Sequence, residues 1–519
     1  MAAIFLGCQP PGTTDPVLSG VSGPLAPIPA DPALACALPV GDTIPEVPPV
    51  DLDAGPDALF ADDALPLFEV LLDDDGWGEV CRNASDYADY LWAIGEDLAP
   101  ERSPHAYTQA DLIFQGKLYE DVGVRFRGRT TVYALFYSLH DNRRPNGLSR
   151  CRDHLAGRKP SWKIKLDKFG QDYEIAGQQT FNLAAREGSD GAYLREVLAM
   201  KVANEFGVVA PWGGHARLCV DGQYEGLFSL VQEADTKRFL NQRFPEAPKG
   251  DYWKIENDGN QIWDPLWNAD GLWVNDYGPV GRTSEDDPGA LRDLLDVGTT
   301  IEAGELPWDY PIDAVIDVDQ WLREIAIDLA IPDYDGMFGN HKNHLLYDHP
   351  DHGIQVVPYD KDLAFVDQQS YLGGVCPGDI LGGHPCWSRV EEPPAVAGWL
   401  MERHGDRYLE LLQELIDTVL IPETLAPWLV ARAEAIRPWI TADRYYGPDS
   451  PACIDAPITC HYYSAGAWEF EVDPLLTGAI QSRVAEIQRQ LDGGLACKNS
   501  CVDVSGPQIG GLPPVRLDL

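Results

Sequence analysis

The apolar positions change their period along the chain, and those changes mark its parts. Residues 1–61 show neither strand alternation nor helical spacing. The stretch GPLAPIPADPALACALPVGDTIPEVPPVDLDAGPDA is mostly Pro, Gly, Ala and Asp, too poor in apolar surface to order itself, and reads as a tether. From Leu65 the pattern tightens. LPLFEVLL has the apolar density of a strand, and SDYADYLWAI reads as a short helix with Ser85 as its N-cap. ADLIFQGKLYEDVGVRFRGRT and KPSWKIKLDKF alternate and are rich in β-branched or aromatic residues, which predicts strands. Next, Leu194, Val197, Leu198, Val202 and Phe206 share one face of a predicted helix that stops near Gly207. HARLCVDGQYEGLFSLVQE is a predicted hairpin with Asp221-Gly222 as a type I′ turn, followed by an Asp-capped helix, ADTKRFL.

The remainder is mainly helical. VDQWLREIAIDLAI sets Val318, Trp321, Leu322, Ile325 and Leu329 at helical spacing, and Gly353 to Val357 is strand-like. WLMERHGDRYLELLQELIDTVL, APWLVARAEAIRPWI and LLTGAIQSRVAEIQRQL are three amphipathic helices. Between the halves, DYWKIENDGNQIWDPLWNADGLWVNDYG carries four Trp and reads as an insertion that packs its own aromatics. The class is therefore α+β.

With 519 residues the chain exceeds what one core usually serves, so two units are expected. Its 39 basic against 82 acidic residues, net −43, argue against nucleic acid or an anionic membrane surface as the main partner. The same balance suits divalent cations, basic protein substrates, or simple solubility. No run of about 18 apolar residues exists to span a bilayer. At the start, Leu6-Gly7-Cys8 ahead of a Pro/Gly/Thr stretch looks like the end of a bacterial lipoprotein signal, with Phe5 imperfect for it. On that reading Cys8 is lipidated and is the protein's attachment to a membrane. The expected location is extracytoplasmic, on an outer surface, in the periplasm or secreted. Ten of the 11 cysteines remain after Cys8, and the close pairs Cys376/Cys386, Cys453/Cys460 and Cys497/Cys501 suit small disulfide loops. No C-x-x-C pair points to zinc.

Chemistry concentrates between Ile331 and Phe365, IPDYDGMFGNHKNHLLYDHPDHGIQVVPYDKDLAF. Asp335 is followed five positions later by Asn340, and Asn343 comes three further on. D-x-x-x-x-N is the spacing of a kinase catalytic loop, where a base that takes the acceptor proton sits beside an amide oxygen that binds a divalent ion. Asp360 and Asp362 follow the predicted strand, where a kinase places its magnesium ligand. His341, His344, His349 and His352 cluster nearby at irregular spacing and read mostly as loop residues, since Asp and Asn suit magnesium better. Upstream, Gly123 and Gly128 would let the backbone approach phosphates, with Arg127 and Arg129 adding charge. Lys163 and Lys165 point to one face of their strand. One of them, here taken as Lys163, would pair with phosphates and with a helix carboxylate, taken as Glu196. Strands, one helix, then two strands is the order of a kinase N-lobe, which sets a hinge near Glu233 and turns the backbone of Leu230 to Glu233 toward an adenine.

NHLLYDHPDHGIQVVPYDKDLAF resembles the N-x-x-N-(aromatic/Leu)-LY…G-x-x-x-x-P-(W/Y)-D-x-D-x-x-F block of the CotH family, the spore-coat kinases. GVRFRGRT, KPSWKIKL, LREVLAMKVANEFGV and VDGQYEGLFSLVQEADTKRFL resemble four further blocks of that family, in its order, so the likeness covers roughly Asp111 to Phe365. The departures are His341-Lys342 between the two amides and Tyr359 where Trp is more usual. The resemblance implies an atypical protein-kinase-like two-lobed fold, with a β-rich N-lobe over 62–233 containing one key helix and a mainly helical C-lobe over 234–510. It implies transfer of the ATP γ-phosphoryl group to a protein hydroxyl with Mg or Mn. Asp335 would orient or deprotonate that hydroxyl, Asn340 or Asn343 with Asp360 would hold metal, and Asp362 would be a second ligand. The same framework admits two other readings, a non-catalytic coat or adhesin-type binding protein and an AMP-transferring enzyme.

Overall fold

Seven strands close into a ring; the sequence pattern predicts six of them but neither Thr180–Ala184 nor the circle. The computed structural model describes residues 28–29, 36, 46–94, 105–128, 132, 159–185, 192–234, 236–248, 250–255, 289–331, 333, 336–337, 343–365, 395–443, 445 and 478–493. The ring comprises β2 (Leu67–Leu71), β3 (Thr108–Phe114), β4 (Lys117–Arg127), β5 (Ser161–Lys165), β6 (Thr180–Ala184), β7 (Gly213–Val220) and β8 (Gln223–Gln232). Around it the order is β4-β3-β2-β7-β8-β6-β5, and β5 returns to β4. Only the β2–β7 junction is parallel; the other pairings are antiparallel. A short β1 (Ile28–Pro29) adds to the free stretch of β4.

Alternation decides what fills the ring. On β5, Trp162 and Ile164 are fully buried in it while Lys163 and Lys165 are half-exposed on the outer face. Phe68 sits between Phe114 and Phe181 with centroids 5.1 and 4.9 Å away, and Trp162 meets Trp77 and Phe126 edge-on. The β7–β8 turn is the one expected: Asp221 has φ 49° and Gly222 φ 73°, both positive as a type I′ turn requires.

Helix α1 (Asp74–Ile94) covers the ring, and it starts well before Ser85, which lies in its interior. The apolar positions Trp77, Val80, Cys81, Ala84 and Ala88 carry the helical spacing back to Asp73, whose carboxylate accepts from Gly76 N at 2.6 Å and caps the first turn. Part of the expected tether also packs. Leu59 and Phe60 are buried against the ring, and Cys36 is disulfide-bonded to Cys219 on β7. A two-residue apolar pair is too short to show a period, which is why composition concealed it. Cys81 is disulfide-bonded as well, and the three close cysteine pairs noted above lie outside the described residues.

Helix α2 (Arg195–Glu205) follows β6, and α3 (Lys237–Arg243) follows β8. The cap of α3 is Thr236 rather than Asp235; its hydroxyl accepts from Phe239 N. A second sheet, in the order β11-β10-β9, contains β9 (Tyr252–Ile255), β10 (His344–His349) and β11 (Gly353–Pro358). It is packed by α4 (Gly289–Glu302) and α5 (Val318–Ala330), and α6 (Ala395–Arg403), α7 (Gly405–Thr418), α8 (Pro422–Thr441) and α9 (Gly478–Leu491) complete the helical part. Trp321, Leu322, Ile325 and Leu329 of α5 are fully buried, as their spacing predicts. The single long helix expected from Trp399 to Leu420 is two, broken at His404. Most of the Trp-rich stretch lies outside the described residues. No helix among the described residues is long and apolar enough to cross a membrane.

The ring is joined to the helical part through the β7–β8 hairpin. Lys159, fully buried, reaches Asp443 beyond α8 at 2.5 Å and also donates to the Leu227 carbonyl and the Tyr193 hydroxyl. Tyr224 donates to the Trp439 carbonyl at 3.1 Å, and the Arg217 guanidinium lies 4.4 Å above the Trp439 ring. Gly226, at φ 119°, leaves the space the carboxylate needs, since a Cβ there would overlap Asp443. Desolvation raises the Asp443 pKa, and the Lys159 ammonium opposes that rise. Lys159→Met would therefore strand a buried carboxylate and should lower unfolding free energy in urea by about 3–5 kcal/mol. The double variant Lys159→Met/Asp443→Leu should regain most of that loss; an undiminished loss would mean that packing, not charge, is what the pair supplies.

Candidate functional site

The site is assembled by a turn between Tyr359 and Phe365, held from four directions. Helix α2 supplies one. It ends as the sequence predicts, in a Schellman cap: Gly207 has φ 83°, Val208 N reaches Ala203 O at 2.9 Å and Gly207 N reaches Asn204 O at 3.2 Å. Its burial differs from the expected single face, because Arg195, Glu196, Val197, Leu198, Ala199 and Met200 are all buried in succession. The helix runs between β7 and α5, so it has a neighbour on each side.

The start of α2 is fixed by polar contacts. His215 on β7 meets the Tyr193 carbonyl through Nε2 at 2.7 Å, while Arg432 of α8 donates to its Nδ1 at 2.9 Å. An Nδ1 that accepts leaves the proton on Nε2, and burial, with Arg432 beside it, pushes the His215 pKa well down, so the ring is neutral. Tyr193 itself takes φ 60°. From the first turn of α2, Arg195 donates to the Ala364 carbonyl at 3.1 Å, which ties helix to turn.

The other supports come from β10, α5 and the segment after α5. Tyr359 N donates to Asn343 O at 3.1 Å, and the Asn343 amide nitrogen faces Asp360 O at 3.4 Å. Asn343, Asp360 and Phe365 all hold left-handed backbone, with φ of 61°, 52° and 57°. Asn and Asp visit this region more readily than most residues, and the cost is of order 1–3 kcal/mol each where it is imposed. Asp333 bridges Ala364, and Ala364 N closes the turn onto Lys361 O at 3.2 Å.

Within Asp360-Lys361-Asp362 the middle residue turns inward. Lys361 is 4% exposed, and its ammonium lies 2.9 Å from Asp328, 3.2 Å from Asp333 and 3.9 Å from Glu324. The flanking Asp360 and Asp362 stay half-exposed. Burial works to lower the Lys361 pKa, but the three carboxylates outweigh it and hold the group above the ordinary lysine range. Glu324 is pushed up to about 8, by burial first and by Asp328 and Asp333 after it, with Lys361 pulling the other way. Nothing in the sequence reading singled out Lys361, Glu324 or Asp328. The available signal was two acids four apart, Glu324 and Asp328, on the apolar stripe of α5.

Of the expected site residues, Asp360 and Asp362 share the turn, Asn343 touches it from the start of β10, and Glu196 lies in the helix tied to it. Asp335 and Asn340 lie outside the described residues. The expected Lys163–Glu196 pair is not formed. Lys163 is paired with Glu233, which also accepts from Asn182 at 3.1 Å, and Lys165 faces Asp167 at 3.8 Å. The reason is register: Lys163 lies opposite Asn182, which lies opposite Val231 two residues before Glu233, all on the outer face of the ring. Arg127 ends β4 opposite Ser161, half-buried. Leu230 and Val231, expected to present backbone to an adenine, are flanked by β6 on one side and β7 on the other. Two of the histidines are strand rather than loop residues, His344 and His349 opening and closing β10, while His349 and His352 face each other at 4.6 Å across the hairpin.

The turn carries two carboxylates and Asn343 beside it an amide, all offering hard oxygen ligands, a set that fits Mg or Mn. No group of three His, Cys, Asp or Glu side chains suited to a metal occurs among the described residues, so such a site depends on the amide. A separate cavity of about 380 Å³ lies away from the turn, between the ends of α2 and α3 and the start of α5. Several of its polar groups serve each other, Arg323 with Asp319 and Gln355 with Asp317.

The raised Glu324 pKa fixes a pH dependence. The folded state keeps a proton that the unfolded chain releases near 4.5, so this contribution to stability is complete below about pH 4.5 and is lost as pH rises to about 8. Thermal midpoints should fall across that interval, and Glu324→Gln, neutral throughout, should flatten the fall. A variant as steep as the parent would assign the slope to other groups.

Two comparisons with known proteins follow the same segments. Inner spore coat protein H of Bacillus subtilis (strain 168) is 21% identical over 310 residues, which is 59% of this chain and 80% of that protein. Residues 124–473 match the family model described as CotH kinase protein, a span that runs from within β4 to beyond α8 and takes in Lys163, Glu196, Asn343 and Asp360. With the greater part of its length inside that match, the chain belongs to the CotH family.

Proposed function

We propose that this chain is a protein kinase on a two-lobed kinase-like framework, transferring the γ-phosphoryl group of ATP to Ser or Thr hydroxyls with Mg or Mn. In this reading the barrel with α2 is the N-lobe and the β9–β11 sheet with its helices the C-lobe. The observation that carries it is the turn of Asp360-Lys361-Asp362. Burying the lysine leaves two carboxylates on one strained, well-anchored loop, beside the Asn343 amide that meets it from the start of β10, a donor set that a mere coat scaffold has no physical need of.

Asn343, with Asn340 as the other amide, and Asp360 would hold the cation, with Asp362 as a second ligand. The cation's chemistry is to neutralise the phosphate oxygens. Lys163 would meet phosphates from the outer face of β5, exchanging or sharing its pair with Glu233, and Arg127 would lie along the same face. Lys165 is the weaker candidate, since it is more exposed and faces Asp167 at 3.8 Å. Asp335 would orient the acceptor hydroxyl and take its proton as the hydroxyl oxygen bonds to the γ-phosphorus and the bond to the β–γ bridging oxygen breaks, releasing ADP. A net charge of −43 favours a basic protein acceptor over nucleic acid. The Cys36–Cys219 disulfide supports a place outside the cytoplasm, as does a relative named as a spore coat protein, and Cys8 would carry a lipid anchor.

The relative's name also supports the second reading, a coat-type binding protein without catalysis. Intact-mass analysis after incubation with ATP and Mn, beside Asp335→Ala and Asp360→Ala, separates the readings. A phosphate-sized increment absent from both variants is the expected result. An AMP-sized increment would make the chain a nucleotidyl transferase, and no increment, even with basic and acidic acceptor proteins added, would favour the binding protein. Lys163→Ala should weaken nucleotide binding about tenfold or more, the worth of a charge-assisted contact. Lys165→Ala should weaken it far less, and the reverse order would exchange the two lysines.

A further inference from the structure

We propose that Lys361 is a positioning residue, an internal cation whose ion pairs set where Asp360 and Asp362 stand; this rests on the reading of those two aspartates as metal ligands. The geometry begins with where its ammonium goes. Asp328 belongs to α5 and Asp333 to the segment that follows it, and Lys361 binds both, at 2.9 and 3.2 Å. The same lysine's carbonyl accepts from Ala364 N, so the residue that ends in the acid cluster also closes the turn. Asp328 in addition leaves no room beside Gly336, where a Cβ would overlap its carboxylate, so one carboxylate abuts the Asp333 side of the site and grips the Asp360 side.

Stability alone does not explain this arrangement. Replacing a buried ion cluster by apolar residues of similar volume is often neutral or stabilising, whereas ion pairs with fixed geometry impose a unique register. Here the register is a backbone one. Asp360 holds φ 52° and Phe365 φ 57°, conformations that relax unless something over-determines them, and Lys361 lies between the two. Asp360 and Asp362 stay half-exposed on either side of a lysine that cannot leave the interior without moving them. A flexible apolar residue in its place would fill volume without fixing direction.

The test uses the full chain, with Lys361→Met and with Lys361→Met/Asp328→Asn/Asp333→Asn, the latter removing the two nearer carboxylates that the single change strands and keeping Glu324. Free Mn is read by electron paramagnetic resonance, stability by thermal unfolding, and phosphoryl transfer by kcat and KM for ATP. The triple variant is expected to regain the stability that the single variant loses, yet to bind Mn about tenfold or more weakly, with a loss confined to kcat while KM for ATP stays within about threefold. Mn affinity equal to the parent's in the triple variant would overturn the inference and make Lys361 a charge balance only. If the parent binds Mn but transfers nothing, a weakened Mn affinity still supports the positioning role while the kinase reading falls. If the parent binds no Mn at all, the assignment of Asp360 and Asp362 as ligands falls, and the role of Lys361 with it.

Discussion

An ammonium withdrawn from water must find its counter-charge at contact distance, and among the described residues two are withdrawn. Lys159 and Lys361 are both buried, in a sequence where acids outnumber bases two to one. The first meets Asp443, and by doing so joins barrel to helices. The second meets three, and by doing so joins α5, the segment after it and the turn at Asp360. Desolvation makes each arrangement intolerant of small displacement, because a charge moved away from its partner in a low-dielectric interior loses far more than it would at the surface. The architecture is in this sense pinned at two points, and the candidate site lies at one of them.

Between those points the connections are short. From Lys159 the contact passes to Tyr193, whose carbonyl holds His215 and whose chain continues directly into Arg195; Arg195 then holds Ala364, in the turn that Lys361 anchors. Barrel, helix and turn are thus linked through a handful of directional bonds, most of them made to backbone carbonyls. Such bonds transmit position rather than charge. They also suit α2 to be a strut, buried in succession from Arg195 to Met200 and open to solvent only toward its end, as at Lys201 and Glu205.

What was legible in the sequence follows from what is local. The Asp221-Gly222 turn, the Gly207 stop of α2, the in-out alternation of β5 and the stripe of α5 each depend on residues within a few positions, and each is present. The closing of the ring depends on β2 finding β7, and no period within either strand encodes that. The partner of Lys163 was misjudged for the same reason, since cross-strand register with Asn182 and Glu233, not chemistry, settles it. The Asp360 turn was legible as a set of donors, while its anchor was not, because a lysine between two aspartates reads as surface until the helix acids that receive it are in view. Cys36, in a stretch whose composition suggested no structure, gave no sign of Cys219.

The parallel junction of β2 with β7 has a consequence for how the molecule is made. Leu72 N bonds to the Asp221 carboxylate across 149 residues of chain, and the disulfide spans 183. Everything between must be synthesised before the ring can shut, and loop closure over such distances is slow compared with forming a helix or a hairpin. Until then β2 presents an unpaired edge, as does β6 before β8 is made. The nascent chain therefore carries an open, apolar sheet until Gln232 has been made, and Cys36 can meet Cys219 only once β7 has emerged.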